Sequence, residues 1–171
     1  DTPPTSGLEF VKEISGSGLR VATVSGRYYA MDRDNNWDRL QKAIDNLTIG
    51  NTKVYPSALD GIKDSYDHGV TDEFMEPFLV DKNGLVKDND AIIFANFRPD
   101  RAIRISTAFT NLDGVSHYYS DGKAHFDGSK MPKGIYFVCM MHYAETVKGE
   151  IAFDLQDLKD LYGDVIADNG L

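Results

Sequence analysis

The sequence predicts an α/β domain of three layers, α/β/α, with helices packed on both faces of a central, mixed β-sheet. Three observations carry that expectation. Short β-branched or apolar runs that read as strands alternate with segments whose apolar residues recur at helical spacing. An Asn83-Gly84 pair between two such runs favours a tight hairpin, and hence a mixed sheet rather than a purely parallel one. Finally, 171 residues, 42% of them hydrophobic, with nine Phe, nine Tyr and one Trp, suffice for a single domain, 1–171, with a sizeable core.

Taken in order, Arg20 to Ser25 reads as a short strand stopped by Gly26. Trp37, Leu40, Ile44 and Leu47 have helical spacing, with Asn35 or Asn36 as cap and an end near Gly50. Ser57 to His68 repeats that form, from a cap-type Ser through Leu59, Ile62 and Tyr66 to a stop at Gly69. Phe78 to Val80 and Leu85 to Lys87 flank Asp81-Lys82-Asn83-Gly84 as the two arms of the hairpin. Ala91 to Phe97 reads as a strand buried on both faces, and Arg98-Pro99-Asp100-Arg101 opens a helix to about Leu112, with Pro99 suited to its first turn. Gly134 to Met141 is a second strand of the buried type, and Asp157 to Asp168 a closing helix. Ser15-Gly16-Ser17-Gly18 is expected to cap or link.

The net charge of -9 argues against a general basic surface for nucleic acid, and no apolar run approaches the ~20 residues that span a bilayer. Charge is uneven: Glu145 to Leu171 holds seven of the 27 acids and only two of the 18 basic residues. A basic pocket can therefore hide in the remainder. One cysteine, Cys139, excludes an intrachain disulfide and fits a reducing, cytoplasmic compartment. The chain opens Asp1-Thr2-Pro3-Pro4 without an initiator Met, and both ends are expected to belong to something longer.

Arginine placement is the strongest chemical signal. Four of seven arginines follow predicted strands: Arg27 and Arg33 in the stretch after Gly26, Arg98 and Arg101 after Phe97. Ligands of open α/β sheets bind at the carboxyl ends of strands, and the planar guanidinium fork suits a phosphate or carboxylate there. With about 100° per residue, Arg101 falls at the border of the stripe formed by Ala102, Ile105 and Phe109, while Arg104 points away from it. The plainer alternative is that these arginines form surface ion pairs with Asp32, Asp34, Asp38 and Asp100, each worth roughly 0 to 1 kcal/mol. The four histidines are scattered with no metal-ligand spacing, Cys139 sits in a strand as a core thiol, and no Gly-x-Ser-x-Gly elbow occurs. The chain thus offers an anion pocket without a nucleophile, a base or a metal.

Asp1-Thr2-Pro3-Pro4, Val24 to Arg39 (VSGRYYAMDRDNNWDR), Gly69 to Phe74 (GVTDEF) and Asp88 to Ala102 (DNDAIIFANFRPDRA) closely resemble the cofactor-independent phosphoglycerate mutases, and the likeness continues through Phe137 to Val147. The resemblance implies an isomerase of glycolysis that interconverts 3-phosphoglycerate and 2-phosphoglycerate without 2,3-bisphosphoglycerate. It implies a domain of the alkaline phosphatase superfamily bearing two Mn(2+) ions and a serine that is transiently phosphorylated, and a second domain, inserted into it, that holds the glycerate. This chain looks like most of the inserted domain. Carried over, Arg27, Arg33, Arg98 and Arg101 would contact substrate phosphate or carboxylate, and Asp1 would lie at a glycerate hydroxyl in a catalytic role. The serine, the metal ligands, a substrate-binding His upstream and a Lys downstream have no counterpart in the sequence. The isolated chain is accordingly expected to be inactive, the intact protein a monomer, and the partners the substrate and the phosphatase-like domain, with no nucleic acid and no membrane. Two alternatives stand beside this: a non-catalytic anion-binding module, and part of a related metal-dependent enzyme acting on another phosphate ester.

Overall fold

The computed structural model describes residues 2–154 and 161–170, and among these the expected alternation of strands and helices is present. The order is α1 (Gly7–Gly16), β1 (Thr23–Val24), α2 (Arg27–Ala30), α3 (Trp37–Thr48), β2 (Lys53–Val54), α4 (Ala58–Asp67), β3 (Phe78–Leu79), β4 (Ala91–Phe94), α5 (Pro99–Thr110), β5 (Tyr136–Cys139), β6 (Glu150–Ile151) and α6 (Tyr162–Asp168). Single turns of 3-10 helix stand at Asp72–Phe74 and Lys82–Gly84, and a longer one at Leu112–Tyr118. Of the expected closing helix, residues 157–160 lie outside the described residues.

The α/β class holds, but the central sheet is divided. One sheet has the order β1-β3-β2, with β1 antiparallel and β2 parallel to β3, so it is mixed as expected. The other, β4-β5-β6, is entirely parallel, in register Ala91↔Tyr136 to Phe94↔Cys139 and Val138↔Glu150. The strands of the first sheet are only two residues long. The Asn83-Gly84 hairpin does not form. The Asp81 carboxylate accepts from the Asn83 amide (2.9 Å) and the Asp81 carbonyl from the Gly84 amide (3.1 Å), closing a 3-10 turn in place of the turn with two positive φ angles that a hairpin requires. The Val86 amide then bonds the Leu47 carbonyl (2.9 Å), which sends the chain along α3 instead of back beside β3.

Helix α3 unites the two sheets. Its Trp37, Leu40 and Ile44 are each 1% exposed and pack with Ile105 and Ala108 of α5, Val115 and Phe126. Full burial of such side chains contributes roughly 1.5–3 kcal/mol apiece. At its other end the buried Asn46 donates to the carbonyls of Phe78 (3.0 Å) and Val24 (3.4 Å) and accepts from the Thr52 hydroxyl (2.6 Å), joining three segments of the mixed sheet. Ala102, Phe137, Cys139 and Tyr143 form the core between α5 and the parallel sheet. Strand β4 is not buried on both faces as its sequence suggested. Phe94 turns to α5, whereas Ala91 and Ile93 are exposed, because no described element covers that side of the sheet. No described helix is long and apolar enough to cross a membrane.

Candidate anion-binding site

Arg98 stands just beyond the carboxyl end of β4, as the residue that precedes helix α5. Pro99 at the first helical position has the right φ and lacks an N–H that would go unpaired there. The approach to Arg98 is held from beneath by the buried Tyr143, whose hydroxyl lies against the carbonyls of Phe94 (3.1 Å) and Asn96 and accepts from the Met140 amide (3.3 Å). Burial pushes the Tyr143 phenol above its ordinary range, which keeps it a donor.

Arg33 comes from the loop between α2 and α3, a loop organised by the buried Asp32. One oxygen of Asp32 accepts from the amides of Asp34 (3.0 Å) and Asn36 (2.8 Å), the other from the Asn36 side chain (2.8 Å), with Arg39 at 3.7 Å. Asn35 adopts φ +62°, a conformation asparagine tolerates better than most residues, and donates to the Ser120 hydroxyl (3.2 Å). The Lys123 ammonium caps the Asp34 carbonyl.

These two segments meet through Asp100. Its carboxylate accepts from Arg98 Nε (2.6 Å) and Nη2 (3.1 Å) and from Arg33 Nη1 (2.8 Å), so two arginines from distant parts of the sequence share one acid. Hydrogen bonds from Arg98 first and Arg33 second hold the Asp100 carboxyl down to about 2. Because that folded-state value lies below the ordinary 3.8, the link is complete above about pH 4 and is lost as pH falls through 2. Arg101, one residue further, donates to the Met31 carbonyl (3.2 Å) on the same loop, which supplies the partner its place at the border of the packed face demanded. Among the described residues the remaining N–H groups of Arg33, Arg98 and Arg101 have no acceptor. They are donors beyond those that Asp100 and the Met31 carbonyl engage, which an anion can use.

Arg27 is bonded elsewhere. Arg27 opens α2, and its guanidinium bonds Glu73 (2.8 Å). Gly26 sets that contact, for a Cβ there would lie 2.5 Å from the Glu73 carbonyl. Asp1 lies outside the described residues. Of the ion pairs named as the plainer alternative, those of Arg33 and Arg98 to Asp100 exist, while Asp32 lies 3.7 Å from Arg39, which is not among the four candidate arginines.

Two contributors escaped the sequence reading. Arg104 does not simply point away: it donates to Asn35 Oδ1 (3.0 Å) and lies 4.5 Å over the Tyr118 ring, adding a further tie between α5 and the Arg33 loop. Its spacing of three from Arg101, which puts both on one side of a helix, was the available signal. Asp100 read as an ordinary ion-pair partner, and nothing local shows that it would be shared.

A separate cavity of about 560 Å³ is lined by Tyr29, Lys42, Lys53, Tyr55, Asp64 and His68 among others, and by none of the four arginines. Cys139 is buried and burial raises its thiol, as befits a core residue. Among the described residues no group of three or more His, Cys, Asp or Glu could hold a metal ion, so the two Mn(2+) ions implied by the resemblance find no site there.

Comparison with known proteins gives a consistent result. Residues 1–145 match the family model described as the BPG-independent PGAM N-terminus. The chain is 57% identical over 170 residues to the 2,3-bisphosphoglycerate-independent phosphoglycerate mutase of Acholeplasma laidlawii, covering 99% of this chain and 33% of that protein. It is 44% identical over 172 residues to the enzyme of the same name from Onion yellows phytoplasma, covering 100% and 34%. Its fold is shared with a crystal structure of Leishmania mexicana phosphoglycerate mutase, at a TM-score of 0.75 and 24% identity, over 99% of this chain and 33% of that one. The chain thus spans about a third of the length of the curated relatives it matches.

Proposed function

Because this chain belongs to the 2,3-bisphosphoglycerate-independent phosphoglycerate mutase family, we propose that it is the substrate-holding part of a cytoplasmic enzyme that interconverts 3-phosphoglycerate and 2-phosphoglycerate. The observation that carries the reading is the meeting of Arg33, Arg98 and Arg101, from two distant segments, in an arrangement with guanidinium donors to spare. A phosphoglycerate brings a phosphate and a carboxylate, and both suit such donors.

In this reading the phosphoryl group leaves O3 of 3-phosphoglycerate for a serine hydroxyl on the phosphatase-like part of the protein. The serine proton ends on the freed glycerate oxygen. The bare glycerate must then remain bound while O2 turns to the phosphoserine and takes the phosphoryl group back, its hydroxyl proton returning to the serine oxygen. Arginines that clamp the glycerate supply the positioning and the charge stabilisation on which phosphoryl transfer depends. Asp1, in the role the resemblance gives it, would orient or deprotonate the accepting hydroxyl.

Arg98→Ala or Arg101→Ala in the intact enzyme is expected to lower kcat/KM by about 30-fold, about 2 kcal/mol of transition-state binding. Coupled assay of 2-phosphoglycerate formation measures it, and full activity in either variant removes that arginine from the site.

A further inference from the structure

We propose that Asp100 is a positioning residue, the internal counter-ion that sets the geometry of Arg33 and Arg98 for the reaction, and that it does so at the expense of substrate affinity. The proposal rests on the functional reading above. The two guanidiniums carry like charge and come from segments distant in sequence, and the three hydrogen bonds to one carboxylate are what hold them side by side. Arg98 is engaged along its Nε–Nη2 edge, which fixes the plane of its fork and leaves the Nη1 side for a ligand. Arg33 is engaged through a single Nη1 contact, so its plane follows from the shared acid and from the loop built on Asp32.

Asp100 also cancels one of the two positive charges it orders. An anionic substrate therefore meets a net charge of one from this trio instead of two. Removing the carboxylate strengthens the attraction for an anion but frees two long side chains to repel and rotate. Binding and turnover are thus expected to move in opposite directions, because preorganised donors act on the transition state and loose charge acts on the bound state equally.

The plainer role for this residue is an acid in the first turn of α5 that complements the helix dipole. The roles separate in kinetics. In the intact enzyme, Asp100→Asn is expected to lower kcat about tenfold while KM for 3-phosphoglycerate holds or falls, and Asp100→Glu, which keeps the charge, to restore kcat to within about threefold of wild type. Thermal melts of both variants accompany the assay. A kcat within about twofold of wild type for Asp100→Asn, with or without a lower Tm, overturns the proposal, as does a rise in KM at unchanged kcat. If Asp100→Asn melts too low to assay, Asp100→Ser, which also removes the charge, takes its place and is judged by the same kcat and KM outcomes. An intact wild-type enzyme without mutase activity sinks the functional reading itself, which none of the Asp100 outcomes can imitate.

Discussion

At the scale of single residues, buried polarity separates side chains that organise the site from one that merely costs free energy. Asp32 is buried yet bonded to the Arg33 loop at both oxygens, so its burial is compensated where it serves that loop. Thr107, on the buried side of α5, shares hydrogen bonding with Thr146, which also meets the Tyr118 hydroxyl (2.6 Å). Ser106 beside it is fully buried, and its hydroxyl has no partner among the described residues. An unpartnered buried hydroxyl costs about 1–3 kcal/mol, of which removing the oxygen recovers part. Ser106→Ala is therefore expected to stabilise the protein by about 0.5–1 kcal/mol. Urea unfolding measures this, and a lower midpoint would show that the hydroxyl has a partner in solution.

At the scale of elements, α4 shows how closely a helix must approach a strand here. Ser57 caps it, accepting from the Asp60 amide (3.2 Å), and Ile62 packs with Met75 and Phe78. Gly61 faces the Phe78 ring directly, and a Cβ there would lie 2.4 Å from a ring carbon. Gly61→Ala is expected to cost about 1–3 kcal/mol by overpacking, despite alanine's better helix propensity. Thermal melts read the balance, and a raised Tm would mean that propensity outweighs contact. Apolar spacing made α3, α4 and α5 legible in the sequence, with the Ser57 cap for α4 and Pro99 for α5, while the expected asparagine cap of α3 makes no side-chain capping bond. The strands were less legible. β2 and β6 have two residues each and expose both, so they carry no hydrophobic pattern to read. The Asn83-Gly84 turn misled because Asp81, two residues before, offered its carboxylate to the Asn83 amide, a local competition that hairpin statistics ignore. α1 was hidden behind the Gly-Ser run at its end. Its N-terminus is held by a distant acid, since the Gly7 amide donates to Asp72 (2.9 Å), whose other oxygen accepts from the Tyr66 hydroxyl. Arg33, Arg98 and Arg101 stood out in the sequence because they follow strand-like runs, whereas Arg27, which stood out equally, bonds Glu73 instead. The acid shared by Arg33 and Arg98 did not, because only the fold brings Asp100 to Arg33.

At the scale of the whole molecule, the parallel sheet is stabilised from one side. Phe94, Phe137 and Cys139 turn toward Ala102 and Phe109, and the Phe137 ring has Phe94 at 5.8 Å and Phe109 at 6.1 Å. On the opposite side Ile93 is 70% and Tyr136 58% exposed. Parallel sheets are ordinarily covered on both faces, whereas this one packs on one side only, against α5 and the segment around Tyr143. The two faces should then respond unequally to truncation. Phe137→Ala removes a buried ring and is expected to cost about 3–5 kcal/mol, a large share of the stability of a chain this size. Ile93→Ser on the open face is expected to change stability by less than about 1 kcal/mol, since little apolar area is withdrawn from water at that position. The open face also carries a colloidal cost, because exposed apolar side chains on a sheet favour self-association, which the net charge of -9 opposes and salt unmasks. Ile93→Ser should therefore leave the urea midpoint nearly unchanged while reducing light scattering at high salt. A loss of stability comparable to that of Phe137→Ala would show that the face is covered after all.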